Sequence, residues 1–208
     1  VPPRAALVPL TWNSDDKPVY ESLSGVSLDA EASCGDASFR ESILFTHRGM
    51  SGPAMLQISS FWREGESVHI DLLPDCDAAA WLVSEQEKNP QQRIASLLKK
   101  RLPNRLVETL AGGWFPDTKT GSVSPGEIAD VGARLNQWVF RPGGSEGYRT
   151  AEVTLGGIDT KEVSSKTFEV GKHPGLYAIG EALDVTGWLG GYNFQWAWAS
   201  GWCCAQHL

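Results

Sequence analysis

Near the C-terminal end, a carboxylate, several glycines and a candidate helix start lie close together: Gly180-Glu181, Gly187, Gly190-Gly191 and Asn193. Glu181 directly follows a short apolar run, where it can accept hydrogen bonds from a ligand's hydroxyls. Glycines let the backbone approach a ligand closely. A helix N-terminus adds unpaired N–H groups and the positive end of a dipole. Together they suit a hydroxyl-bearing, electron-rich ligand. A second stretch, Phe45-Thr-His-Arg-Gly-Met-Ser-Gly-Pro53, places the titratable imidazole of His47 shortly before a proline-opened helix. Two readings stand for it. Either the loop carrying His47 and the Ser51 and Gly52 amides faces a ligand, or the helix is plain packing and His47 is structural, the commoner fate of a lone histidine.

The elements that must position these residues follow from periodicity. Leu176 to Ile179, after the break at Pro174-Gly175, reads as a buried strand. Asn193 reads as the cap of a helix of about 15 residues that runs to the end. Residues 1–12 give a proline-broken edge strand, and residues 23–32, 39–46 and 68–73 alternate as half-buried strands do. From Asp75 the pattern turns helical: a helix starts on Asp75 or Asp77 and ends before Asn89-Pro90, and others fall in 91–101 and 103–110. Ser124-Pro125-Gly126-Glu127 opens one more, to residue 135. Residues 147–155 return as strand and end at Gly156-Gly157. The fold class expected is α+β: a small antiparallel β-barrel (1–74 and 145–158) with an inserted helical subdomain (75–144), then a strand-loop-helix segment (159–208).

Composition narrows the function classes. The chain has 208 residues, 41% hydrophobic and 21% charged, which is ordinary for a globular protein. A formal charge of −7 without a long basic run argues against nucleic acid as a partner; Lys99-Lys100-Arg101 is short. No apolar run reaches the roughly 18 residues of a membrane span. Cys34, Cys76, Cys203 and Cys204 lack redox or zinc spacing, and the adjacent Cys203 and Cys204 read as core or interface residues, with a reducing cytoplasm as the default setting. Of the nine tryptophans, Trp196, Trp198 and Trp202 fall in the last helix, whose nearly uniform apolarity is typical of a buried one.

Gly-Leu-Tyr-Ala-Ile-Gly-Glu181 resembles the last flavin-binding segment of two-dinucleotide-type FAD enzymes. The run from Glu181 through Thr186-Gly-Trp-Leu-Gly-Gly-Tyr-Asn-Phe194 is similar to the YhiN/BaiN-type (aminoacetone-oxidase-like) FAD-dependent oxidoreductases. Phe45–Pro53 and Val153–Ile158 look like that family's other signatures. The resemblance implies noncovalent FAD, NAD(P)H as reductant and a small organic substrate. It also implies cofactor contacts at Gly156, Gly157, Gly180, Glu181, Asp184, Gly190, Gly191, Tyr192, Asn193 and Phe194, with His47 as the catalytic candidate. The glycine pair 156–157 would lie on the flavin ring and Glu181 on its ribityl hydroxyls. Asp184 would orient the turn or reach the ribityl chain. The family's Gly-x-Gly-x-x-Gly pyrophosphate turn has no match here. The expectation is therefore the middle and C-terminal part of a longer flavoprotein, inactive alone and prone to self-association through its last helix. The alternatives are a non-catalytic binding or scaffold fragment and a fumarate-reductase-like flavoenzyme.

Overall fold

The structure, a computed structural model, describes all 208 residues. The chain divides into two units, Pro9–Ser145 and Val1–Val8 with Glu146–Leu208. In chain order the first elements are β1 (Arg4–Ala6), β2 (Leu10–Thr11), α1 (Lys17–Tyr20), β3 (Ser27–Cys34), β4 (Ala37–Phe45) and β5 (Gly49–Ser51). Then come α2 (Pro53–Ser59), β6 (Val68–Asp71), α3 (Ala78–Lys88), α4 (Ile94–Leu98), α5 (Asn104–Leu110) and α6 (Pro125–Asn136). β7 (Trp138–Phe140), β8 (Gly144–Ser145), β9 (Val153–Leu155) and α7 (Tyr192–Ala205) complete the set.

In the larger unit seven strands pair antiparallel in the order β7-β6-β3-β4-β5-β2-β8. Laid flat, the two edge strands of such a sheet would stand about 29 Å apart at the usual strand spacing. Yet only residues 141–143 join β7 to β8, and four Cα steps span about 14 Å at most. The sheet must therefore curl into a small barrel. Its interior is aromatic where the ends of the sheet approach. The Trp12 ring lies 5.3 Å from Phe140, 5.4 Å from Tyr20 and 6.1 Å from Phe45, and Trp138 stacks on Phe45 at 6.1 Å. The alternation read from the sequence is met: Ala30, Ala32 and Cys34 of β3 and Ile43 and Phe45 of β4 are buried.

The helices begin where their capping residues stand. Asp77 accepts the Ala80 N–H at 2.9 Å. Ser124 and Glu127 form a reciprocal capping box, and the Ser124 backbone N–H and hydroxyl hold the Glu127 carboxyl below the usual range. α3 and α6 press together at Gly132, where a Cβ would overlap the Ala79 backbone. The buried Gln86 side chain donates to the Thr120 and Val123 carbonyls at 2.7 and 2.8 Å. These helices share one continuous core with the barrel.

In the smaller unit β1 pairs antiparallel with β9, Ala5 opposite Thr154. Phe168, Val170, Ala178, Leu183 and Cys204 form a compact core of their own. Two expectations are corrected here. Residues 176–179 form no strand: Leu176 and Ile179 are exposed, and one isolated bridge joins Tyr177 to Glu169. Pairing with residues 168–170 stops at two hydrogen bonds, Val170 N–H to the Leu176 carbonyl at 2.8 Å and Ala178 N–H to the Phe168 carbonyl at 3.0 Å, too short a ladder to make a strand. Strand structure in 147–155 is confined to β9, preceded by a 3-10 turn at Gly147–Arg149. The last helix, apolar as a buried one is but expected here to lack the sheet it would cover, shows Phe194, Trp198 and Trp202 to solvent at 70–78% exposure.

One side chain ties barrel to helices. Asn136, the last residue of α6, accepts the Ala78 N–H at 2.8 Å and donates to Asp71 Oδ1 at 2.8 Å and the Cys76 carbonyl at 3.0 Å. Asn136→Ala leaves these groups unpaired and is expected to lower stability by about 2 kcal/mol, read from denaturant unfolding. Asn136→Asp should be at least as damaging, because it sets a second carboxylate beside Asp71. Unfolding midpoints equal to the parent's would show the tie to be dispensable.

Candidate functional site

The glycine loop 187–191 and the start of α7 form one wall of a cleft of about 200 Å³ in the smaller unit. Leu7, Glu152, Val153 and Glu181 face Trp188, Leu189, Gly190, Gly191, Asn193, Phe194 and Ala197 across it. α7 opens from Gly191, a left-handed residue with φ 86°, and no side chain caps it. Its first-turn N–H groups therefore have no partner within the helix and no capping oxygen. Asn193, expected as the cap, does something else. Its Oδ1 accepts the Gly187 N–H at 2.7 Å and its Nδ2 donates to the Gly187 carbonyl at 3.0 Å. The amide closes the loop into a ring and leaves the helix end open.

Glu181 sits in a 3-10 turn, Gly180–Ala182. One carboxylate oxygen accepts the Thr154 backbone N–H from β9; the other lies free for a ligand. Gly180 is buried and clamped by α7: its N–H donates to Ser200 Oγ at 3.0 Å and its carbonyl accepts from Trp196 Nε1 at 3.0 Å. Ser200, and the hydrogen bond that Trp196 makes, escaped the sequence reading. The signal for Ser200 was present, a lone serine in the largely apolar second half of the helix.

Other expected contacts fall differently. Gly156 and Gly157 do stand where the backbone is crowded, but by the chain itself. A Cβ on Gly156 would overlap the Pro2 carbonyl, and one on Gly157 would come to 2.7 Å from the Ala182 oxygen. Asp184 donates its backbone N–H to the Ile158 carbonyl at 2.9 Å and does not line the cleft. Tyr192 and Phe194 are exposed. His47 belongs to the larger unit, at the exposed tip of the β4–β5 turn. Thr46 Oγ1 shapes that turn by accepting the Gly49 N–H at 3.0 Å. No group of His, Cys, Asp and Glu is disposed to hold a metal ion, and the four cysteines are free, Cys34 and Cys204 buried.

These residues fit one end of a flavin dinucleotide. The uncapped helix start suits the electron-rich edge of the ring, the free Glu181 oxygen suits ribityl hydroxyls, and Trp188 and Phe194 offer aromatic faces. A cleft of about 200 Å³ holds part of such a group, not all of it. Because Glu181 also ties its turn to β9, Glu181→Ala is expected to lower flavin content of the full-length protein and to cost the apo protein about 1 kcal/mol. Glu181→Gln keeps an acceptor for Thr154 and should lose flavin with an unchanged melting temperature of the apo protein. Flavin-to-protein ratio and thermal melting check both, and an unchanged ratio in both variants removes Glu181 from the site.

Residues 4–153 match the family described as HI0933-like protein barrel and H2TH domain. The chain is 50% identical over 213 residues to the ribosomal RNA dihydrouridine synthase of Escherichia coli K12, covering all of this chain and 52% of that protein. It is 49% identical over 211 residues to the Haemophilus influenzae protein of the same name, with coverage of 100% and 52%. Against the 3-dehydro-bile acid delta(4,6)-reductase of Clostridium scindens it is 32% identical over 175 residues, 77% of this chain and 42% of that one. The chain thus spans about half the length of the curated relatives it matches. On the match over residues 4–153 and the flavin-type signatures, the chain belongs to the HI0933-like protein family, a group of YhiN/BaiN-type flavoprotein oxidoreductases.

Proposed function

We propose that the chain is the barrel-bearing half of an FAD-dependent reductase that saturates uridine in ribosomal RNA, with NAD(P)H as the electron source. The observation that carries this reading is identity of 50% and 49% across the whole chain to two ribosomal RNA dihydrouridine synthases. The bile-acid relative is more distant, yet the chemistry its name describes is related. Each reaction removes a carbon–carbon double bond conjugated with a carbonyl, by adding a hydride to the far carbon and a proton to the near one. FAD, once reduced by NAD(P)H, would supply that hydride.

In this reading the chain's own residues bind and orient. The start of α7 stabilises negative charge on the electron-rich edge of the ring. Glu181 holds the ribityl hydroxyls, and Asn193 keeps the glycine loop closed against the ring. The exposed aromatic face of α7 is assigned to the remainder of the flavin domain, and His47, exposed in the larger unit, to the substrate side. A uridine substrate departs from the expectation, drawn from net charge, that nucleic acid is no partner.

The test supplies the full-length protein with NADH or NADPH and unmodified ribosomal RNA, and reads dihydrouridine by mass spectrometry of the digested RNA. Dihydrouridine at a defined position is expected, and His47→Gln should slow it without loss of flavin. Reduction of cyclic enones with no dihydrouridine in any RNA would favour a small-molecule reductase and contradict the proposal.

A further inference from the structure

The net charge of −7 conceals a local reversal. Residues 85–119 carry seven Lys and Arg against four Asp and Glu, a charge of +3, while the rest of the chain holds eleven against twenty-one, −10. The structure gathers the basic side chains on the helical part of the larger unit, and all seven of these Lys and Arg are exposed. Arg101 lies over the Trp81 ring of α3, 4.8 Å from its centroid. Beside it Lys100 reaches Glu85 of α3 at 3.6 Å and Gln92 at 3.4 Å. Gln91 accepts from Lys119 at 2.7 Å, and Lys119 pairs by its backbone with Arg93. These neighbours string Arg101, Lys100, Arg93 and Lys119 into one row.

We propose that this row is a docking surface for the phosphate backbone of the RNA substrate, an inference that rests on the reading of ribosomal RNA above. The ion pairs within the row do not preclude it. Arg93–Asp117 at 2.7 Å is exposed on both sides, and Lys100 is exposed in its pair with the half-buried Glu85. Pairs open to solvent are worth roughly 0–1 kcal/mol, so phosphates can replace them. Arg101 is better placed still. Its indole neighbour fixes the plane of the guanidinium, leaving N–H donors for a bidentate phosphate contact. The acidic remainder of the chain repels RNA elsewhere, so the field orients the RNA onto this face.

The experiment compares the full-length protein with a variant carrying Arg93→Gln, Lys100→Gln, Arg101→Gln and Lys119→Gln. Binding of a ribosomal RNA fragment is measured across salt concentrations, with flavin content and melting temperature as controls. The variant should bind about tenfold or more weakly, and its slope of log affinity against log salt should fall by about 1 for each phosphate that the removed charges had neutralised. Its flavin content should be unchanged. Glu85→Gln, which removes the acid from the row, should tighten binding and gives an independent readout if the fourfold variant is unstable. Unchanged affinity and slope in both variants would overturn the surface while leaving the proposed function intact. Intact RNA binding with weakening only toward protein-containing ribosomal particles would reassign the face to a protein partner, and so overturn it too. A parent protein that does not bind ribosomal RNA would overturn it together with the function.

Discussion

The candidate site depends on two hydrogen bonds that α7 makes to one glycine. Ser200 and Trp196 grip the N–H and the carbonyl of Gly180 at 3.0 Å each. Gly180 begins the turn that carries Glu181, so the grip sets the carboxylate at a fixed place relative to the start of the same helix. The Glu181–Thr154 bond then ties that turn to β9, and the Asn193–Gly187 pair closes the loop between them. An uncapped helix end costs stability unless something else accepts its N–H groups. Leaving it open over a cleft, with a glycine at the capping position and the Asn193 amide of the first turn used on Gly187, fits a site built for a ligand.

The larger unit obeys a different constraint. A seven-stranded sheet whose edge strands are joined through three residues has to close, and closure concentrates the aromatic rings of Trp12, Phe45, Trp138 and Phe140 in the barrel. The helical layer shares that core through α3 and α6, which leaves its outer face free to carry charge. Within one small chain, the apolar contacts that hold the fold and the charges proposed to hold a polyanion are thereby kept on separate surfaces.

What could be read in advance was local chemistry. Asp77, Ser124 with Glu127, and Pro53 mark helix starts through contacts made within a few residues, and each starts its helix as expected. The alternation in β3 and β4 was legible for the same reason. Residues 176–179 were not, since strand formation depends on a partner that no local pattern encodes. Asn193 misled because asparagine is a favoured cap; only the left-handed Gly191 shows that the helix starts two residues earlier. Gly156 and Gly157 correctly signalled a close approach, but not that the approaching groups are Pro2 and Ala182. Net charge is an average, and it hid the basic row around Lys100. Identity of a partner lies outside what such patterns encode, and the RNA partner proposed above is drawn from the names of the relatives.

Hydrogen–deuterium exchange of the full-length protein, with and without FAD, tests most directly whether the cleft at the start of α7 holds the flavin. The account predicts that bound FAD slows exchange in residues 187–194, where the glycine loop and the first-turn N–H groups of α7 lie, and in the turn at Gly180–Ala182. Slowed exchange elsewhere in the protein, with residues 180–194 unaffected, would contradict it.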